Sequence, residues 1–205
     1  CGYGRVFHDN NFSSYTSYLE LLAEYISTLD DDLQKTLVAY VIDEEPFNSE
    51  STPEYTKLKI CERISDAYDI VKLKDPHHLI TIGNGDGASN TAYWDDGILK
   101  IDFISPHLYP FHERLLETDS HLAVERVMND LFWLKNNCPL PWITGECGFS
   151  AIEDDQAYGG QTGTQLSYPD VNGTILEQKQ FAIDYLNMVR NCGGAGISWW
   201  DFQVV

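Results

Sequence analysis

Apolar, strand-like runs alternate with amphipathic, helix-like segments along most of this 205-residue chain. The runs are continuous rather than alternating in polarity, which is typical of strands buried on both faces of a parallel sheet. Strands are predicted over residues 36–42, 79–83, 101–105, 141–145 and 193–203. Helices are predicted over residues 13–29, 53–74, 119–137 and 175–191, the first with Ser13 or Ser14 as its cap. This alternation predicts an α/β fold with a parallel sheet and right-handed crossovers.

Two architectures fit such an alternation, an open doubly wound sheet and a (β/α)8 TIM barrel. An open sheet usually binds its ligand at a glycine-rich turn. The glycine-rich segment 83–87 has neither the Gly-Lys-Ser/Thr ending of a phosphate loop nor the spacing of a dinucleotide fingerprint. We therefore interpret this segment as a plain turn and favour the barrel.

The charge balance excludes several functions. The chain has 13 basic and 32 acidic residues and a formal net charge of −19. Because phosphates are bound by Lys and Arg, nucleic acid and anionic membrane surfaces are not expected partners. No apolar run reaches the length of about 18 residues that a membrane-spanning helix needs. The length suits one domain over residues 1–205.

The five cysteines indicate structural rather than catalytic thiols. They form no CxxC pair and have no zinc-like spacing, and no local motif pairs one of them with a histidine. We predict buried free thiols, since unpaired cysteine packs like a small apolar residue. The five are Cys1, Cys61, Cys138, Cys147 and Cys192.

Polar or aromatic residues follow each predicted strand. In a barrel such strand ends meet at one face, although they are distant in sequence. Glu45 and Glu146 would then become a facing pair, and two carboxylates around one sugar bond are what glycoside hydrolysis needs. The strand-end residues are Glu44, Glu45, Asn84, His107, Tyr109, Glu146, Trp199, Trp200 and Asp201.

With these residues the chain resembles the C-terminal part of a clan A glycoside hydrolase, closest to the cellulase-like family 5 enzymes. Glu44-Glu45-Pro46 matches the Asn-Glu-Pro that ends the fourth strand of that family. Thr144-Gly-Glu146-Cys-Gly148 matches the seventh strand's Thr/Ser-Glu-x-Gly. The resemblance implies that Glu45 is the acid/base, that Glu146 is the nucleophile, and that the chain supplies roughly strands 4–8 of the barrel.

The same resemblance implies the substrate-binding residues. His107-Leu-Tyr109 matches the His-x-Tyr of the sixth strand, where the Tyr hydrogen-bonds the nucleophile. Trp200 matches the aromatic platform of the eighth strand, with Trp199 as the alternative, and Glu44 occupies a sugar-binding position. No metal or cofactor is implied.

The chain departs from the family pattern in two ways. Glu44 replaces the family's Asn, and a carboxylate beside Glu45 is expected to raise the pKa of one of the pair by like-charge repulsion. The first three strands are also missing. Since an opened barrel exposes apolar strand edges, we expect an N-terminal segment or a companion chain to complete it.

The sequence therefore predicts a retaining β-glycosidase acting on a β-linked polysaccharide or oligosaccharide. Carboxyl groups about 5–5.5 Å apart would support retention, and about 6.5–9.5 Å would favour inversion. One alternative is a non-catalytic carbohydrate-binding protein on a degenerate glycosidase scaffold. Another is an acidic α/β protein without sugar chemistry. Because polysaccharides lie outside cells, an extracellular or cell-surface location is expected.

Overall fold

A computed structural model describes residues 12–46, 57–84, 97–110, 120–149, 151–152 and 173–200. The chain forms two compact units, Cys1–Pro106 and His107–Val205. The expectation of a single domain stays a prediction.

The first unit is a small parallel sheet with helices. Its sheet has the strand order β1-β2-β3, with Tyr40 opposite Ile80 and Gly83 opposite Ser105. Helices α1 and α3 pack against each other. The elements are α1 (Phe12–Ser27), α2 (Asp31–Gln34), β1 (Ala39–Glu44), α3 (Lys57–Lys74), β2 (Leu79–Asn84) and β3 (Ser105–Pro106).

The second unit contains two short parallel strand pairs and two long helices. Strand β4 pairs with β7, β5 pairs with β6, and α4 packs against α5. The elements are α4 (Ser120–Asn137), β4 (Thr144–Cys147), β5 (Ala151–Ile152), β6 (Gly173–Thr174), α5 (Ile175–Asn191) and β7 (Ile197–Trp199).

Each unit has its own apolar core. In the first unit, α3 buries one face whose residues recur at three- and four-residue spacing, as a helix stripe requires. These residues are Ile60, Ile64, Ala67 and Val71, and they are buried together with Ile80 and Ile82 of β2. In the second unit, the Phe181 ring lies 5.3 Å from the rings of Phe149 and Tyr185 and 6.1 Å from that of Trp199. The apolar side chains of helices and strands are thus buried separately in each unit.

The helices begin close to where the sequence predicts, but the first helix is not capped by the predicted residue. Ser13 and Ser14 lie inside α1 rather than before it, so the prediction that one of them caps the helix is wrong. The Asp30 carboxylate caps α2 by accepting from the N–H groups of Asp32 and Leu33. Thr174 opens α5 with a capping box closed by Glu177.

Strand β2 is one residue longer than predicted, β1 and β4 are each one residue shorter, and the third predicted strand differs in kind. Of residues 101–105, only Ser105 belongs to a paired strand. The reason is that the Asp102 carboxylate accepts the N–H of Ile80 at 2.8 Å, so a side chain replaces a backbone partner in the ladder. Glu44 and Glu146 were expected after their strands, whereas they lie within β1 and β4. Of the predicted closing strand, residues 201–203 lie outside the described ranges, and within those ranges the strand covers Ile197–Trp199.

The described residues form three small parallel sheets and no closed barrel. Within the described ranges, none of the helices has the length and apolar content to cross a bilayer. The prediction of free thiols is confirmed for the four cysteines in these ranges; Cys61, Cys147 and Cys192 are buried and Cys138 is half-buried.

Candidate active site

In the first unit, the backbone at the carboxyl end of β1 has an unusual conformation. Glu44 is exposed and is paired with Gly83 of β2. Glu45 follows at φ 53°, in the left-handed region that residues with a side chain seldom adopt. Its N–H donates to the carbonyl of Gly83 at 2.8 Å. This hydrogen bond helps to hold a conformation that costs about 1–3 kcal/mol, and such strain is concentrated at functional sites.

The register of β1 against β2 shifts just before this point, between Val41 and Glu44. An irregularity of this kind inserts an extra residue and turns the following side chains to a new direction. The acids that end the strand therefore do not follow the regular side-chain alternation of an undistorted strand.

Asp43 is the acid in this run that is most affected by its surroundings. Burial raises the pKa of its carboxyl to about 7, with the charge of Glu44 as a smaller contribution and the Glu44 N–H, which donates to Asp43 at 2.8 Å, opposing the shift. The sequence predicts like-charge repulsion between Glu44 and Glu45 and misses Asp43. A carboxylate on a strand that is otherwise apolar was the available signal.

In the second unit, two side chains hold the carboxylate of Glu146. Tyr109 Oη donates to Glu146 Oε2 at 2.8 Å. His107 Nδ1 lies 3.3 Å from the same oxygen, and the His107 side chain is buried. The two side chains therefore restrict both the position and the rotation of this carboxylate.

The backbone brings these three residues together. His107 and Glu146 are partners in an isolated parallel bridge, and the N–H of Leu108 donates to the carbonyl of Glu146 at 2.9 Å. Because alternate residues of an extended segment share a face, His107 and Tyr109 both reach Glu146. At the start of β4, Tyr185 Oη donates to Thr144 Oγ1 at 3.2 Å, which ties the strand to α5.

Gly148 allows the end of β7 to lie close to the end of β4. A Cβ at this position would come within 2.3 Å of the carbonyl oxygen of Trp200. The Trp200 N–H donates to the carbonyl of Cys147 at 2.8 Å. A side chain here would therefore separate two backbones that hydrogen-bond to each other.

The two adjacent tryptophans have different environments. Trp199 is half-buried and packs edge-on against Phe181. Trp200 is 60% exposed. An exposed indole ring offers a flat apolar surface to a ligand, whereas the ring of Trp199 contributes to the core.

Cys147 lies between Glu146 and Gly148 and has no catalytic character. It is buried, and burial raises the pKa of its thiol to about 12. Since the thiolate is the reactive form, this thiol is inert near neutral pH.

The residues predicted from the sequence thus fall into two groups. His107, Tyr109 and Glu146 meet in the second unit, and Glu44 and Glu45 end β1 in the first. The facing arrangement of Glu45 and Glu146 stays a prediction, as do the roles of all site residues. Sequence reasoning gave no role to Asp43, Asn84 or Gly148.

No protein family model matches the chain, and no curated protein matches it. Several solved structures match the chain in fold. A β-D-glucuronidase from Dictyoglomus thermophilum is 18% identical, with a TM-score of 0.59 over 90% of this chain and 28% of that one. A β-glucuronidase from an uncultured Clostridium is 15% identical, with a TM-score of 0.61 over 92% and 30%.

A third neighbour, the GH53 catalytic domain of Ignisphaera aggregans, is 14% identical, with a TM-score of 0.63 over 96% of this chain and 56% of that one. The chain therefore spans about 30% of the length of the glucuronidases and about half of this domain. At such identities the likeness shows the fold alone, which is that of part of a TIM barrel. A relation to family 5 in particular stays a prediction.

Proposed function

We propose that this chain belongs to a retaining β-glycosidase that acts on a β-linked polysaccharide or oligosaccharide. The observation that carries the proposal is the carboxylate of Glu146, with Tyr109 at 2.8 Å and His107 at 3.3 Å from one oxygen. Hydrogen-bond donors favour the ionised form of a carboxylate, which an attacking nucleophile needs. The fold of a glycosidase supports the same reaction class.

In the proposed mechanism, Glu146 attacks the anomeric carbon and forms a glycosyl-enzyme, while Glu45 protonates the leaving oxygen. Glu45 then takes a proton from the water that hydrolyses this intermediate. The exposed ring of Trp200 supports a role as the platform under the sugar. Glu44 and His107 complete the sugar-binding residues, and the mechanism needs no metal or cofactor.

The primary test is turnover of a panel of aryl β-glycosides. We expect Glu146→Gln to abolish hydrolysis because the nucleophile is lost. Glu45→Gln should lower kcat by about 10²- to 10⁴-fold, the usual contribution of a general acid/base. Proton NMR should detect the β-anomer as the first product. Appearance of the α-anomer first would contradict retention, and full activity of Glu146→Gln would contradict the nucleophile assignment.

Azide separates the two glutamate roles. In Glu146→Ala, azide can attack the anomeric carbon directly, and one displacement gives the α-glycosyl azide. In Glu45→Ala, azide attacks the glycosyl-enzyme, and two displacements give the β-glycosyl azide. Reversal of these outcomes would exchange the two assignments.

One observation favours a second candidate, a non-catalytic carbohydrate-binding protein. The exposed Glu44 carboxylate stands where the family resembled has an Asn, next to the proposed acid/base. Sugar binding without turnover of any glycoside in the panel would support this candidate.

Two further parts of the proposal concern where the protein is located and what completes its barrel. A polysaccharide substrate supports an extracellular or cell-surface location. Completion of the barrel by an N-terminal segment or a companion chain is likewise part of the proposal. Secretion assays and purification of the protein with its partners would test these two points.

A further inference from the structure

Asn84, the last residue of β2, is buried and has no polar partner. Its relative exposure is 0%, and within the described ranges neither Oδ1 nor Nδ2 has a hydrogen-bond partner. Buried polar side chains nearly always have one. Burial without a partner reduces the stability of the folded state, so the free protein bears a cost at this position.

This amide is at the edge of the sheet where barrel enzymes bind their substrates. Residues two apart share a face of a strand, so Asn84 lies on the same face of β2 as Ile80 and Ile82. The carbonyl of the preceding Gly83 accepts the N–H of Glu45, which brings the carboxyl ends of β1 and β2 together. Asn84 therefore ends the strand that neighbours the proposed acid/base.

The chemistry of the side chain indicates what it would bind. A carboxamide has two N–H donors and one oxygen acceptor and carries no charge. A hydroxyl group also donates and accepts, so it can pair with either end of the amide. An anion would use only the donors and a cation only the acceptor. A neutral ligand with several hydroxyl groups fits best.

We propose that Asn84 is a substrate-binding residue that hydrogen-bonds a hydroxyl group of the sugar, an inference that rests on the proposed glycosidase function. The ligand then satisfies an amide that the folded protein leaves unsatisfied. Two predictions follow from this role. Removing the amide should weaken sugar recognition, and it should leave the stability of the folded protein unchanged or higher.

The test compares Asn84→Leu, which keeps the approximate size, with a matched variant on the same strand. Thr81→Val is that control, because Thr81 is equally buried while its Oγ1 donates to the carbonyl of Phe103 at 2.6 Å. We expect Asn84→Leu to keep or raise Tm and Thr81→Val to lower it. A lower Tm for Asn84→Leu would mean that the amide is satisfied in the free protein, and it would overturn the proposal.

The second readout is a set of aryl β-glycosides that each lack one ring hydroxyl. In the wild type, loss of the hydroxyl that pairs with Asn84 should lower kcat/KM by about 2- to 15-fold, the effect of one neutral hydrogen bond. In Asn84→Leu, loss of that same hydroxyl should have no further effect, while the other deoxy substrates keep their wild-type ratios. Equal losses across the whole set would indicate a structural role and contradict the proposal.

The outcomes separate this inference from the proposed function. If the wild type hydrolyses glycosides and Asn84→Leu has unchanged selectivity, the inference fails and the function stands. If the wild type hydrolyses no glycoside, the proposed function fails. The role of Asn84 is then tested by the dissociation constants of methyl β-glycosides for the wild type and for Asn84→Leu. Equal constants would overturn the role of Asn84, and weaker binding by Asn84→Leu would support it.

Discussion

The two proposed catalytic glutamates lie in different backbone settings, Glu146 within β4 and Glu45 directly after β1. At Glu146, the Tyr109 hydroxyl and the His107 ring both contact one oxygen of the carboxylate. At Glu45 the backbone is constrained, by a left-handed φ and by a hydrogen bond to Gly83. A nucleophile must present one oxygen to one carbon, whereas an acid/base exchanges protons during the cycle. Two side chains on one oxygen suit the task proposed for Glu146.

The largest effect is expected from a change next to Glu146 that moves its backbone. Gly148→Ala places a Cβ within 2.3 Å of the Trp200 carbonyl, so the ends of β4 and β7 have to separate. We expect a loss of about 2–3 kcal/mol in the free energy of unfolding, together with weaker sugar binding. Thermal or urea unfolding measures the first and KM the second.

Gly196→Ala is the control for this prediction, because a Cβ there meets nothing within 4 Å. This variant should unfold like the wild type. If both variants are equally stable, the close approach at Gly148 does not constrain the strand.

A smaller effect is expected from Tyr109→Phe, which removes the hydroxyl that donates to Glu146. A hydrogen bond to a charged group is worth about 1.5–3 kcal/mol, so kcat should fall by about 10- to 150-fold. KM should change little, since the contact is to the nucleophile and not to the sugar. Steady-state kinetics on an aryl glycoside measures both.

Tyr185→Phe is the comparison variant, because its hydroxyl donates to Thr144 rather than to Glu146. It should lower Tm and leave kcat near the wild-type value. A drop in kcat of the same size in both variants would mean that the Tyr109 hydroxyl acts through stability alone.

The smallest effect is expected in the region of Glu45, from Asp43→Asn. Burial raises the pKa of Asp43 from 3.8 to about 7 in the folded protein, so between these values the folded state holds a proton that the unfolded state has released. Stability therefore falls as pH rises from about 4 to about 7. Asp43→Asn should remove this dependence and raise the free energy of unfolding at pH 8 by about 1–2 kcal/mol, after discounting for partial exposure.

Urea unfolding between pH 4 and pH 8 measures this change. Asp66→Asn is the comparison variant, because it makes the same change at an exposed position of α3. Identical curves for Asp43→Asn and the wild type would show that burial of Asp43 does not affect its titration.

The sequence predicts the helices better than the strands, for a physical reason. Helix α5 covers residues 175–191 as predicted, because the apolar spacing of a helix is a local property. The third strand is different, since its pairing depends on a carboxylate that replaces a backbone partner. Such a contact between distant residues leaves no local pattern.

The same distinction applies to the candidate site. Tyr109 and Glu146 were linked through the family resemblance, and the structure has them in contact at 2.8 Å. The register shift before Glu44 and the unpartnered amide of Asn84 had no sequence signature, and the only sign of the burial of Asp43 was its place on an otherwise apolar strand. Each depends on the three-dimensional surroundings of the residue.

The contact of Trp200 with Gly148 has a consequence for redesign. Position 200 is constrained through its main chain, which hydrogen-bonds Cys147, while its indole ring is 60% exposed. Exchange of the ring for another aromatic group should therefore vary the surface offered to a ligand without disturbing the strand that carries Glu146. Insertions between Gly196 and Trp200 should instead change the register of β7 against β4, the strand that carries Glu146. The indole ring is therefore the part of this segment that can be varied.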